Sequence, residues 1–531
     1  MDILSSRHTP RFGKAEAIVL AAYSLLLAWT VAHHAPWADE AQSWLLARDS
    51  SLTALFKTNL HFEGTPGLWH LFLWLLCRMH VSYAGMHWFA ALIAITGIWV
   101  FLRFSPFPLL VRIALPFSFY LFYQYAVIAR SYVAVPLLVF IIAALFSRPA
   151  QNLIAIAVVL GLLGNLCTQG LVLSAGFAFV LFLHLRQQGD SNSTPPGPRR
   201  ITAALLILSA FWAAAVWTAL PSADNSFMPV AKLINRIAPP PPASIGSANS
   251  AAQTPPAQEK PDDPYESCHP VTLAQDLGFI VTGGLSNSWL LTLITLGIIF
   301  AFLASRASQE RLLDIAPYFM LQCFFLLVLE QPWHLGMLFV ALIGILWINW
   351  PREETRRERI WSALLVSAVL AVSIDQAFWS ARAIKTDLQG NYSGDKQAAE
   401  FLKSHAAGKR VAGFRPHSVG VLPYFSSNIF ENQHQEGFWF WSRMNHTDDR
   451  VMETVLDHPD FIVIGFLVHL CNGTTADSEA VASSKRVLPG MEERILASGL
   501  YVETHRFCGD AFSGHDSQMT LCQVILEPVT R

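Results

Sequence analysis

Asp39 and Glu40 follow directly on the first long apolar segment of the chain, in a loop that also carries His61, Glu63 and Pro66. Adjacent carboxylates at a membrane surface, ahead of a polytopic bundle, suggest an enzyme that works at the bilayer interface, where a carboxylate can serve as a base. A solute channel would more often place its acidic groups inside the spans.

The elements that must hold this loop are apolar. Of 531 residues, 53% are hydrophobic and only 14% charged, against about 25% charged in ordinary soluble proteins. Mean hydropathy is +0.39. The 36 Phe and 17 Trp suit lipid-facing and interfacial positions. A net charge of −2 with no basic tract gives no reason to expect nucleic acid.

Segments close to the roughly 20 residues needed to cross a bilayer fall near 16–34, 84–103, 107–126, 130–147, 151–167, 169–186, 201–220, 277–304, 312–330, 334–350 and 360–380. The expected fold is therefore an α-helical polytopic membrane domain over 1–380 with about eleven transmembrane helices. No small-residue cleavage site follows the first segment, so it reads as a span rather than a signal peptide. With the N-terminus in the cytoplasm, Arg103, Arg112, Arg148, Arg186, Arg199, Arg200, Arg306, Arg311 and Arg352 to Arg359 all fall inside, as the positive-inside rule requires. Residues 66–80 are too short to join the series, and counting them would put those arginines outside. They read as a helix along the outer surface, with a short, tilted second span as the alternative.

Three polar regions then lie outside: 35–83, 221–276 and everything after about 381. The second, with Pro239 to Pro242 and a Ser/Ala/Pro-rich stretch, reads as flexible. The third, residues 381–531, is large enough for a domain. Phe461-Ile462-Val463-Ile464 and Val524-Ile525-Leu526 look like buried strands, and Lys396 to Ser404 looks helical, so a small extracytoplasmic α/β domain is expected. Cys77, Cys167 and Cys323 read as core residues. Cys268, Cys471, Cys508 and Cys522 lie outside, where disulfides persist. A Cys508–Cys522 bridge is one option, and spacing alone does not fix the pairing. Sequons stand at Asn391, Asn445 and Asn472.

The strings Trp37-Ala38-Asp39-Glu40-Ala41-Gln42-Ser43-Trp44, Glu63-Gly64-Thr65-Pro66-Gly67-Leu68-Trp69 and Ala129-Arg130-Ser131-Tyr132 resemble the membrane glycosyltransferases of GT-C type, within the superfamily of protein O-mannosyltransferases and lipid A aminoarabinose transferases. The resemblance covers about residues 15–380. It implies transfer of a sugar from a polyprenyl-phosphate donor to a hydroxyl acceptor on the extracytoplasmic face of the cell membrane. Members often have His-Pro-Pro where this chain has Thr65-Pro66-Gly67, so a role carried by that histidine would pass to His61 or His70.

Under that resemblance Asp39, with Glu40, is the catalytic candidate, since a hydroxyl is a poor nucleophile near pH 7 without a base. Arg130 and Tyr132 would meet the lipid phosphate, with His334 as a second phosphate-side group. His61 and Glu63 complete the substrate-binding set, and Glu63 could bind acceptor hydroxyls or a divalent ion. No cofactor is otherwise expected. Plainer roles stay open for each: a solvated helix start for Asp39 and Glu40, headgroup anchoring for Arg130, interface anchoring for Trp333 and His334, and a membrane-surface contact for Lys232 and Arg236. Phe438 to Trp441 could be core or a sugar platform. A lipid-linked glycan transporter or flippase, or a non-catalytic assembly protein, are the other function classes. A transporter would be expected to carry matched Gly/Pro breaks in two halves, which the sequence lacks.

Overall fold

The computed structural model describes residues 12–189, 196–222, 278, 280–281, 284–306, 309–328, 331–351, 355–389, 391–414, 416–433, 451–470, 490–512, 514 and 518–529. Lys232, Arg236, Cys268, Cys471, Asn445, Asn472, Phe438 to Trp441 and nearly all of 221–276 lie outside the described residues.

The chain runs as α1 (Lys14–His33), α2 (Ala38–Asp49), α3 (Leu52–Lys57), α4 (Leu68–Arg78), α5 (Tyr83–Phe104), α6 (Leu109–Ala114), α7 (Ala134–Leu145), α8 (Leu153–Gly164), α9 (Thr168–Gly189), α10 (Pro198–Ala219), α11 (Trp289–Ala304), α12 (Ala316–Leu327), α13 (Pro332–Asn349) and α14 (Arg356–Gln389). Among the described residues α1, α5, α9, α10, α13 and α14 are long and apolar enough to cross a membrane, which points to an integral membrane protein. α13 is buried along nearly its whole length and forms the centre of the bundle, while α10 is mostly exposed. α4 has 11 residues, about 16 Å at 1.5 Å per residue. That falls well short of the roughly 30 Å hydrocarbon core.

The segment 107–126 departs from the single span expected of it. α6 ends at Ala114, a short 3₁₀ turn covers Leu115–Phe117, and Ser118 is extended. A π-turn then covers Tyr120–Gln124, followed by irregular backbone up to Arg130. Pro116 removes one N–H from the helix ladder. The segment is enclosed by protein from Ser118 to Ala129, the condition under which non-helical backbone is tolerated at membrane depth. The Tyr23 hydroxyl donates to the Leu121 carbonyl at 2.8 Å, and Ser380 donates to the Phe117 carbonyl at 2.9 Å. Gly336 on α13 makes room for Tyr120: a Cβ there would sit 2.0 Å from its ring. The break brings residues 129–132 to the end of the bundle that carries α2.

α14 runs to Gln389, nine residues beyond the expected limit near 380, and leads into the C-terminal α/β region. This comprises α15 (Asp395–His405), β1 (Val411–Phe414), α16 (Val451–Leu456), β2 (Phe461–Leu470), α17 (Gly490–Ala497), β3 (Tyr501–Phe512) and β4 (Gln518–Pro528). The sheet order is β1-β2-β4-β3, with β1 parallel to β2 and the other pairs antiparallel. Cys508 and Cys522 face each other across β3 and β4 and form a disulfide. Cys167 is buried as expected, but Cys77 is only half-buried and Cys323 is exposed. Both sit on helices with one outward face.

The α/β region is docked on the site-bearing end of the bundle. Arg48 of α2 donates to the Leu422 and Phe425 carbonyls at 3.3 and 2.7 Å. Ser393 donates to the Pro36 carbonyl at 2.7 Å. The Tyr392 ring packs edge-on against His34 at 4.8 Å and Trp37 at 6.4 Å. Phe512 meets Phe119 of the broken segment at 5.7 Å.

Candidate functional site

α2 positions the two acids. Its N-cap is Trp37, and both carboxylates fall in the first turn, where the helix dipole favours negative charge. From that turn their side chains take different routes.

Asp39 pairs with Arg130, with side chains 15% and 22% exposed. A ligand can therefore reach the pair. Burial raises the Asp39 carboxyl above its ordinary range, although Arg130 works in the opposite direction. Arg130 also lies over the Tyr132 ring, 5.7 Å from its centre. The Tyr132 hydroxyl and His334 Nε2 are 2.8 Å apart, so the sequence pair Arg130-Ser131-Tyr132 connects the acidic helix to the start of α13.

Glu40 is wholly enclosed, with no side-chain exposure. Its Oε1 faces His34 Nε2 at 3.2 Å and accepts from the Trp37 N–H at 3.3 Å. Its Oε2 faces His87 Nε2 at 3.0 Å and accepts from the Ala129 N–H at 2.6 Å. Burial opposes its charge, but His34 and His87 hold the carboxyl far below its usual range. Both oxygens of Glu40 are taken up by these four partners, which fits a residue that positions α2 better than a second catalytic acid. Asp39 reaches Arg130 while its neighbour Glu40 reaches Ala129, so two adjacent residues on each strand of chain are tied rung by rung.

Glu63 accepts from Gln42 of α2. It is half-buried, and burial pushes its carboxyl up to about 8 despite Arg130. His61 is turned elsewhere. Its Nδ1 meets the Leu220 carbonyl at 2.7 Å, and its ring packs on Trp217 at 5.6 Å. It fastens the loop to the end of α10, and a substrate-binding role is not supported by its contacts.

His70 takes the place expected of a local histidine. It lies on α4 and is buried, and neither ring nitrogen has a hydrogen-bond partner among the described residues. Burial first, and then Arg130, push it down to about 3, so the ring is neutral. His334 Nδ1, Trp37 Nε1 and Trp69 Nε1 are likewise buried without partners. Buried polar groups are normally satisfied, so these unpartnered atoms suit a bound polar ligand.

Sequence reasoning missed His34, His87, Asp387 and Tyr123. The Tyr123 hydroxyl donates to Asp387 at 2.7 Å, and His34 Nδ1 lies 3.1 Å from the same carboxylate oxygen. His87, inside an apolar span, carried the available signal, because an ionisable residue there is a functional candidate by default.

The arrangement offers an accessible carboxylate, a guanidinium, a hydroxyl and neutral imidazoles, all held by buried supports. No protein-family model matches the chain, and a search of curated proteins returns no match.

Proposed function

We propose that this chain is an integral membrane glycosyltransferase that moves a sugar from a polyprenyl-phosphate donor to a hydroxyl acceptor. The observation that carries the reading is the partly buried Asp39–Arg130 pair, linked through Tyr132 to His334. In this reading the donor phosphate takes Arg130 as a charge-assisted partner and thereby releases Asp39. The freed carboxylate accepts the proton of the acceptor hydroxyl as its oxygen attacks the anomeric carbon. The bond from that carbon to the phosphate oxygen breaks, and the electron pair leaves on the phosphate beside Arg130. His70 and His334 stand ready as hydrogen-bonding partners.

The membrane frame of this reading has about eleven crossings, made by the six long helices with the shorter apolar ones and the broken 107–126 segment. The N-terminus is cytoplasmic and the α/β domain extracytoplasmic, in the cell membrane of a bacterium. α4 lies along the surface beside the site. A reporter fused after Arg531 and active only in the cytoplasm would overturn that orientation.

The direct test incubates the purified chain with radiolabelled polyprenyl-phosphate sugars and an envelope acceptor fraction. Transfer that is lost in Asp39→Asn supports the reading. Movement of labelled lipid across a vesicle membrane without transfer would favour a flippase instead.

A further inference from the structure

The buried histidines around Glu40 raise a question of hydrogen-bond balance. His34 Nδ1 faces the Asp387 carboxylate at 3.1 Å and its Nε2 faces Glu40 at 3.2 Å. His87 Nδ1 faces the Tyr83 carbonyl at 3.3 Å and its Nε2 faces Glu40 at 3.0 Å. All four ring nitrogens meet acceptors. A neutral imidazole donates from only one nitrogen, so two neutral rings, 6.0 Å apart in the protein interior, leave two of these four contacts without a donor.

We propose that His34, Glu40 and His87 bind one divalent transition metal ion of the zinc class. Their ligand atoms lie within 4.8 Å of one another and all three residues are buried. Adjacent ligand atoms of a tetrahedral zinc site, at 2.0–2.2 Å from the metal, are about 3.3 Å apart. The Nε2-to-carboxylate distances of 3.2 and 3.0 Å are close to that spacing. The outer contacts fit as well. Metal-bound histidines characteristically donate the other ring N–H to a carboxylate or a backbone carbonyl, and Asp387 and the Tyr83 carbonyl are one of each.

The exchange balances. The metal ion takes the Nε2 lone pairs, and any proton held on those nitrogens leaves as H⁺. Both Nδ1–H groups keep their acceptors, and Glu40 changes from hydrogen-bond acceptor to ligand. The fourth position is left to water. Such an ion would join the end of α1, the first turn of α2 and the first turn of α5, and would fix the base of the helix that carries Asp39. This inference does not depend on the glycosyltransferase reading.

The test uses full-length protein, made without a polyhistidine tag in zinc-supplemented medium. Elemental analysis should find about one zinc per chain. Cobalt-grown protein should show the visible absorption of tetrahedral Co²⁺, and X-ray absorption should give nitrogen and oxygen neighbours only. His87→Gln should lower the content at least tenfold. His184→Gln, in the other buried histidine cluster, should leave it at one. Should His87→Gln fail to fold, wild-type metal content and the cobalt spectrum still decide the matter. Wild-type protein with less than 0.1 metal per chain, or with a full equivalent retained in a folded His34→Gln/His87→Gln double variant, would overturn the proposal.

Discussion

Two buried clusters of histidine and carboxylate sit at opposite ends of the bundle. One is His34, Glu40, His87 and Asp387. The other is His184 on α9 with Asp314 and Arg311. Thr168, at the start of α9, bonds the Gly64 carbonyl at 2.9 Å beside the site. His184 lies sixteen residues further along, about 24 Å at helical rise. In the distal cluster His184 Nε2 meets Asp314 at 3.0 Å, but the ring also faces Arg311 N–H at 2.5 Å. A guanidinium supplies the cation there, and it also donates to Asp314 at 3.4 Å. At the site end no arginine among the described residues pairs with the cluster, and Arg130 pairs with Asp39 instead. The difference separates two uses of one set of residue types. The distal cluster staples α9 to the turn before α12, whereas the proximal one supports the helix that carries the Asp39–Arg130 pair.

The largest expected break in this comparison is Asp39→Asn. It should reduce sugar transfer by about 10²–10⁴-fold, with the fold and donor binding kept. Arg130→Ala should instead weaken donor binding, measured by retention of the labelled lipid. Wild-type turnover in a folded Asp39→Asn chain would remove Asp39 as the base.

Glu40→Gln should act on stability first. Removing one partner from a buried charged cluster costs about 3–5 kcal/mol, so yield and melting temperature should fall sharply together with activity. A fully stable but inactive Glu40→Gln protein would restore Glu40 to the chemistry. Asp314→Asn probes the distal staple. It should cost about 1–3 kcal/mol in melting experiments and leave the rate of the remaining folded protein unchanged. A rate loss comparable to that of Asp39→Asn would show that the two ends are coupled.

The smallest effect concerns a third buried acid, one with no cation. Asp395 accepts from Gln523 at 2.8 Å, and burial pushes it up to about 7. Its unfolded value is near 3.9. The folded chain therefore holds this proton more tightly, so the stabilisation is full below about pH 4 and lost as pH rises through about 7. Asp395→Asn keeps an acceptor for Gln523 and cannot ionise. Its melting temperature should exceed that of the wild type at pH 8, by about 1 °C for each 1 kcal/mol, and the difference should shrink to zero only as the pH falls to about 4. An equal difference at both values would rule Asp395 out.

Much of the scaffold was legible because apolar periodicity is a local signal. α1, α5, α9, α10 and α13 lie within a few residues of the segments read from composition, and Lys396 to Ser404 and Phe461 to Ile464 fall inside α15 and β2. The segment 107–126 was illegible as a break. Its residues are as apolar as a span, and only the enclosing helices allow the backbone to leave helical form. The site was half legible. Asp39, Arg130, Tyr132 and His334 do meet. The surroundings of Glu40 were illegible because they depend on His87 and Ala129, 47 and 89 residues away. Adjacent carboxylates look alike until the fold turns one toward solvent and the other inward.

α14 has 34 residues, about 51 Å of helix, far more than the roughly 30 Å of a hydrocarbon core. It carries Asp387 to His34 near one end and leads almost at once to Tyr392. The α/β domain is thus mounted on a stiff strut rather than a swivel, and its attachment is also a wall of the His34 cluster. Heat that melts the sheet should then dismantle the site in the same transition, so a calorimetric scan should give one endotherm where a tethered domain would give two.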